Sequence, residues 1–410
     1  MQPDSLATKA HSDPSPGDGP PRIPPFSVAA LPRIVFGEGV LDQLAPELAC
    51  FGRNVLLVTG GQSFLAGPGW PHLQAQFEAQ GLEWTLVRIQ GEPCPAQIDK
   101  VVHRYGADQF DVVLAIGGGS ALDAGKAIAG LLPGRGSVRD YLEGVGTPSD
   151  YAGPALPFVA VPTTAGTGSE LTRNAVITET GAGGFKKSFR DDRLLARLAV
   201  IDPCLLATCP PSVMLGNALD ALTQLLESYV STRASVFTDA LARDGLRAFA
   251  EGFRPDPDRP VRSYGHLAYA AMISGICLTQ AGLGSVHGFA SPLGAFFRIP
   301  HGMACGTMLA VCTDLNISLT RARTPDHPVL ARYNEVARIL TGTPASEPAP
   351  DLAGLLHEWT RACQVPRLSD FGVRSGDIDR IVAASRGSSM KTNPLVLSDA
   401  ELASLLTRRL

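Results

Sequence analysis

The 410-residue sequence predicts two domains of different class, an α/β domain on a mostly parallel sheet and, after it, an all-α domain. Three observations predict this. Short apolar runs ending in Gly or Pro alternate with helical patterns in the first half, and they nearly vanish after Asp202-Pro203. Beyond that point apolar residues recur at three- and four-residue spacing. A chain of this length exceeds one small core and suits two domains of ordinary size. The expected division is a tail over 1–25, the α/β domain over 26–203 and the helical domain over 204–410.

The opening segment "MQPDSLATKAHSDPSPGDGPPRIPP" is rich in Pro, Gly, Ser and Asp and lacks the apolar stretch of a secretory signal, so it reads as a disordered tail. Six strand-like runs follow: "LPRIVFGEG" from Leu31, "NVLLVTGG" from Asn54, "EWTLVRIQ" from Glu83, "FDVVLAIGGGS" from Phe110, "PFVAVPTT" from Pro157 and "LAVIDP" from Leu198. Punctuated apolar strands with helices between them fit a parallel sheet covered on both faces. In the second half, "SVFTDALARDGLRAFAEGF" and "YGHLAYAAMISGICLTQAGLG" carry helical periodicity. "GTPASEPAP" from Gly342 reads as a loop. Ser398, with Glu401 three residues on, forms a capping box for the last helix.

Hydrophobic residues make up 45% and charged residues 18% of the chain, the balance of a soluble globular protein. A formal net charge of -4 and a pI near 6.1 supply no field to gather nucleic acid or an anionic membrane surface. No run approaches the length of a membrane span, so no membrane partner is expected. The eight cysteines are scattered, without a Cys-x-x-Cys pair, and read as reduced thiols of a cytoplasmic protein.

In "DVVLAIGGGSALDAGKAIAG" a strand-like run ends in Gly117, Gly118, Gly119 and Ser120, and a helix starts at once. Glycines permit positive φ and leave amides uncovered, and a helix N-terminus adds partial positive charge, so the turn suits a pyrophosphate. Asp123 is placed to hold a polar group of the ligand. Lys126 can back either a phosphate or that carboxylate. A second Gly/Thr/Ser-rich turn, "PTTAGTGSE", offers Thr163, Thr164, Thr167 and Ser169 to a nicotinamide carboxamide and phosphates. Two such turns in one sheet make the first half a Rossmann-like dinucleotide-binding domain.

"GNALDALTQLLESYVST" places Asp220 and Gln224 one helical turn apart on one face. That is metal-site geometry with one unusual ligand, and it is also the pattern of an ordinary capped or solvated helix face, the commoner case for such a pair taken alone. The chain has eight histidines, and two of them, His287 and His301, fall in the Gly-containing segments "GSVHGFA" and "IPHGMA".

Taken together, "GGGSALDAGKA", "PTTAGTGSE", "LDALTQLLESYVS", "AGLGSVHGFASPLG" and "IPHGMA" resemble the iron-containing (group III) alcohol dehydrogenase family, in the family's order from about Leu31 to the C-terminus. The dehydroquinate synthase and glycerol dehydrogenase branch fits these motifs less well. The resemblance implies an NAD- or NADP-dependent interconversion of a small-molecule alcohol and an aldehyde or ketone, in a homo-oligomer. It also implies a divalent metal, Fe²⁺ or Zn²⁺, that polarises the substrate oxygen. The family's metal is held by an Asp, a His four residues later and two histidines fourteen residues apart. Here those positions are Asp220, Gln224, His287 and His301, with Asp220, His287 and His301 forming the catalytic set. Gln224 would ligate through its carbonyl oxygen, as a weaker donor than the usual His.

Two further departures follow from the same comparison. Where the family commonly has a His near the substrate, this chain has Ser291, which passes a proton only along a chain of hydroxyls or water. Where many members have an acidic residue after the first nucleotide-binding strand, this chain has Gly60, which permits a 2′-phosphate and so NADP without excluding NAD. Two alternatives stand beside the main reading. One is a metal-independent, maleylacetate reductase-like enzyme acting on an activated keto acid, with Lys186, Lys187 and Arg190 in "GGFKKSFRDD" holding a carboxylate rather than forming a solvated basic loop. The other is a nucleotide-binding protein that has lost catalysis.

Overall fold

In the computed structural model, residues 23–106, 108–145, 149–181 and 183–410 are described; the expected tail over 1–25 lies outside them except for its last three positions. Six strands form a single parallel sheet: β1 (Arg33–Phe36), β2 (Asn54–Thr59), β3 (Glu83–Arg88), β4 (Val112–Gly117), β5 (Phe158–Pro162) and β8 (Leu198–Ile201), in spatial order β1-β8-β5-β4-β2-β3. These are the six runs read from the sequence. Register pairs Val55 with Val112 and Val113 with Phe158, so the strands end together on one side.

The parallel sheet needs cover on both faces, and side-chain alternation supplies it. Val55, Leu57, Val112, Leu114 and Ile116 face one core, shared with Leu44 and Leu48 of α1 (Leu44–Ala49) and Leu73 and Phe77 of α3 (Gly69–Ala79). A one-turn helix, α2 (Ser63–Ala66), precedes α3. Leu56, Val58, Val113 and Ala115 face the opposite core, against α4 (Pro95–Tyr105) and α5 (Gly119–Leu131). Between β5 and β8 the chain forms an antiparallel hairpin, β6 (Asn174–Glu179) and β7 (Phe185–Arg190). The basic segment Lys186 to Arg190 is therefore a strand rather than a solvated loop. Its alternation hides Phe189 in the core, while Lys186 and Lys187 reach the cavity described below.

After β8 no further strand forms among the described residues. The helices are α6 (Pro211–Tyr229), α7 (Val236–Gly252), α8 (Tyr264–Ala281), α9 (Ser285–Phe297), α10 (His301–Arg323), α11 (Val329–Thr341), α12 (Leu352–Ala362), α13 (Ile378–Ala384) and α14 (Asp399–Thr407). The Gly342 loop joins α11 to α12. Ser398 caps α14 with Glu401, as the sequence predicts. Helix α6 is buried along nearly its whole length because α7, α8 and α10 pack around it.

Helix α10 is long and apolar enough to cross a membrane, yet 67% of its most apolar window is buried inside the protein, as expected of a core helix. Helices α8 and α9 meet at a bend of 102°. Gly282 makes the bend possible: its φ is +75°, and a Cβ there would meet Thr392 Oγ1 at 2.7 Å. Beyond the bend, α9 carries His287, whose Nε2 lies 3.2 Å from Asp220 Oδ1 on α6.

Candidate metal and cofactor site

Two glycine-rich turns meet at the C-terminal ends of β4 and β5. None of Gly117, Gly118 and Gly119 has positive φ, which corrects the sequence expectation for this turn. Close approach is what requires glycine. A Cβ on Gly119 would lie 2.6 Å from Thr167 Oγ1, one on Gly118 3.2 Å from Thr164 Cγ2, and one on Gly117 2.7 Å from Ala121 Cβ. The Thr163 N–H donates to Gly117 O at 2.9 Å, fastening the turns together. Gly118 caps α5 without any side-chain hydrogen bond, so the first amides of a 13-residue helix stay available to an anion.

Gly119, Ser120, Asp123, Thr167 and Ser169 line a cavity of about 590 Å³ between the two halves. Gly60, Gly117, Gly118, Thr163 and Thr164 are not among the residues that line it. Gly60 follows β2 directly, beside Gly117, and a Cβ there would meet only Ala121 Cβ at 3.8 Å.

Asp123 accepts a hydrogen bond from Ser169 Oγ at 2.6 Å and an ion pair from Lys126 Nζ at 3.1 Å. Lys126 is fully buried. Its ammonium donates to Ser169 O at 2.9 Å, to Thr172 Oγ1 at 3.0 Å and to Asn174 O. It does not reach the cavity, so of the two roles open to it in the sequence it takes the backing of Asp123 and not phosphate contact. Burial lowers the Lys126 pKa from its ordinary value, against the pull of Asp123 and Glu170.

The metal-type donors gather at the far wall. Asp220 on α6, His287 on α9, and His301 and Cys305 on α10 bring their ligating atoms within 4.8 Å of one another. His287 Nε2 is 3.2 Å and His301 Nε2 3.7 Å from Asp220 Oδ1. Asp220 is 1% exposed, and its Oδ2 has no hydrogen-bond partner among the described residues. A buried carboxylate oxygen without a partner is costly, and a divalent cation at this point would satisfy it. The donor set of carboxylate, two imidazoles and thiol fits Zn²⁺ or Fe²⁺.

Burial pushes Asp220 up, but the imidazoles of His301 and His287 outweigh it and hold the carboxyl at about 2. Burial lowers His301 to about 4, leaving a neutral imidazole with a free lone pair. For His287, burial is overcome by Cys305, Asp220 and Glu227, and its pKa is raised.

Sequence reasoning missed two residues here. Glu227 lies one helical repeat beyond Asp220 on α6; its carboxylate is 2.7 Å from His287 Nδ1 and accepts the Val286 N–H at 2.7 Å. The seven-residue step from Asp220 was the available signal. Cys305, four residues after His301, was signalled by helical spacing and passed over as a core thiol.

Gln224 is placed otherwise than the sequence predicts. It is buried at the cavity wall, but its Oε1 accepts from Ser274 Oγ at 2.7 Å. As placed, the one atom of glutamine that ligates is engaged by Ser274 on α8. Ser291 lines the cavity on α9. Of the three basic residues considered for a carboxylate, Lys186 is paired with Glu92 at 2.7 Å, and Arg190 faces Glu143 at 3.4 Å.

The family model "Iron-containing alcohol dehydrogenase" matches residues 32–203, and that of the "Fe-containing alcohol dehydrogenase family, C-terminal" matches residues 215–410. Alcohol dehydrogenase 4 of Schizosaccharomyces pombe is 32% identical over 90% of this chain and 86% of its own length. The NAD-dependent methanol dehydrogenase of Bacillus methanolicus is 27% identical over 92% of this chain and 98% of its own. A halo-thermophilic archaeal alcohol dehydrogenase from a Red Sea brine pool superposes with a TM-score of 0.84 at 24% identity, covering 95% of this chain and all of the other.

Proposed function

Because the chain belongs to the iron-containing alcohol dehydrogenase family, we propose that it is an NAD(P)-dependent enzyme that interconverts a small alcohol and its aldehyde or ketone, with Asp220, His287 and His301 holding a divalent metal. The observation that carries this reading is the placement of those donors and the glycine turn on opposite walls of one cavity. When bound, the ion supplies Lewis acidity toward an oxygen and the nicotinamide supplies a hydride acceptor or donor.

The chain's own residues do the rest. Gly119 and Ser120 present the start of α5 to a pyrophosphate, and Thr167 and Ser169 close the turn beside it. Asp123, held by Ser169 and Lys126, offers a fixed acceptor at the cavity wall. The cavity lining combines apolar Leu278, Leu283, Pro292, Ala295 and Phe296 with charged Lys186, Lys187 and Arg190, which suits a small substrate carrying both an apolar and a polar group. Ser291 is the hydroxyl closest in sequence to the metal-binding His287 on the same wall, and it passes the substrate's proton to solvent only through a further hydroxyl or water.

The room at Gly60 supports NADP as well as NAD. Eight free thiols support a reducing, cytoplasmic compartment. The outer edge of β1, unpaired among the described residues and with Phe36 exposed on it, supports association with a second copy.

The deciding experiment purifies the protein without chelator, measures bound metal, and assays alcohols with NAD⁺ and NADP⁺ and aldehydes with the reduced cofactors. Metal-dependent turnover that is lost in His287→Ala is expected. Reduction of a keto acid at an unchanged rate by metal-free wild type and by His287→Ala would replace this reading with that of a metal-independent reductase.

A further inference from the structure

With Gln224 Oε1 accepting from Ser274 Oγ, the structure offers the metal site a further donor from a different helix. Cys305 Sγ lies 3.7 Å from His287 Nε2 and 4.0 Å from His301 Nε2. We infer that Cys305 is the fourth protein ligand, so that this chain binds its metal through Asp220, His287, His301 and Cys305, with Gln224 outside the coordination sphere. The inference rests on the metal-dependent reading above and specifies its donor set.

The distances suit one ion. Around a tetrahedral zinc at ordinary bond lengths, N–N and N–O edges span about 3.4 Å and N–S edges about 3.6 Å. The two N–O edges here are 3.2 and 3.7 Å and the two N–S edges 3.7 and 4.0 Å. Hydrogen bonding does not account for this cluster as well. A thiol has one proton to share between two imidazole nitrogens, while Asp220 Oδ2 stays buried and unpartnered at the same point.

Position matters too. Cys305 and Asp220 are buried beneath the cavity, whereas His287 and His301 form its wall. A thiolate that binds from below keeps the cavity side of the ion open, as a catalytic site requires. The soft sulfur shifts preference toward Zn²⁺ and Co²⁺ and away from Mg²⁺ and Mn²⁺.

Gln224 is the rival donor. Ser274 Oγ has a single proton, yet it lies 2.7 Å from Gln224 Oε1 and 2.8 Å from Ala271 O. Turning the Gln224 amide over would satisfy both groups and free its oxygen for the ion, so the test must separate the two residues.

The full-length protein is stripped of metal, reloaded with Co²⁺ and followed by absorption, alongside Cys305→Ser, Cys305→Ala and Gln224→Ala, with thermal melts of each metal-free form as the folding control. Wild type and Gln224→Ala should show the near-ultraviolet sulfur-to-cobalt charge-transfer band, and both Cys305 variants should lack it. Zn²⁺ affinity should fall in Cys305→Ala by more than the roughly 10- to 100-fold typical of an outer-shell change. Co²⁺ bound by wild type without that band overturns the Cys305 assignment while leaving the metal-dependent reading intact. Failure of wild type to bind Co²⁺ or Zn²⁺ at all overturns both.

Discussion

Glu227 Oε2 lies 2.7 Å from His287 Nδ1, and the other oxygen of the same carboxylate accepts the Val286 N–H at 2.7 Å. One buried group therefore fixes the start of α9 and the orientation of the imidazole it carries. With Nδ1 held by Glu227, Nε2 is the nitrogen directed at Asp220, and it is the one that can ligate when unprotonated. Glu227→Gln should keep the helix in place but lose the charge that holds Nδ1. We expect metal affinity to fall by about 10- to 100-fold, measured by competition with a chromophoric chelator, with a smaller change in the melting temperature. An unchanged affinity would show that His287 is oriented by packing alone.

Lys126 makes a contrasting case, because its ammonium is spent on Asp123 and three oxygens of the second turn and hairpin. Lys126→Met should destabilise the fold by about 3 kcal/mol or more, the usual cost of breaking a buried pair from one side. Denaturant unfolding measures this. If the variant instead keeps its stability and loses only dinucleotide affinity, the lysine contacts phosphate after all.

The two turns pack so closely that Gly119→Ala changes two things, fold and cofactor binding. A Cβ would meet Thr167 Oγ1 at 2.6 Å and Thr167 Cγ2 at 2.8 Å, so the single variant should be destabilised. Adding Thr167→Ala removes both of those atoms and should recover much of the melting temperature. Dinucleotide affinity should stay low in the double variant, since the added methyl still stands over the start of α5. Recovery of both together would mean that the glycine serves packing only.

How much of this could be read beforehand varies with the kind of signal. The six sheet strands were legible because each is an apolar run closed by Gly or Pro, and α6 to α8 because their spacing is helical. The β6–β7 hairpin was not, since "FKKSFR" has two consecutive lysines and its strand alternation hides only Phe189. The set Asp220, His287 and His301 was legible through the resemblance of its motifs to the family's metal-binding positions. Cys305 and Glu227 were not: their spacing from His301 and Asp220 puts them on the same helix faces, but a lone thiol or carboxylate on a buried helix is weighed as a site only once three helices are seen to meet, as they do beyond the 102° bend between α8 and α9. The direction of the Gln224 amide depends on Ser274, fifty residues away, and no local pattern reports it.

At Gly60 the surroundings make a charge test clean. A Cβ there meets only Ala121 Cβ at 3.8 Å, so Gly60→Asp introduces its carboxylate without steric cost. A 2′-phosphate beside it would be repelled, while a ribose hydroxyl would gain an acceptor. The ratio of kcat/KM for NAD to that for NADP should rise by roughly tenfold or more. An unaltered ratio would place the ribose elsewhere.

Glu170 gives the fold a pH dependence whose sign can be worked out. The side chain is buried at the end of the second turn, and burial raises its pKa from the ordinary 4.5 to about 7, against the opposing pull of its own backbone and of Lys126. Between those values the folded protein holds a proton that the unfolded chain releases. Unfolding then releases protons, so stability falls as pH rises from about 4.5 to about 7 and levels off above it. Glu170→Gln should remove this component, so that the variant loses less stability than wild type between about pH 5 and about pH 7. Denaturant midpoints at a series of pH values measure it on the metal-free protein. A wild type whose midpoint rises across the same window by as much as that of Glu170→Gln would show that the Glu170 carboxyl is ionised in the fold, held by Lys126 more strongly than burial opposes it.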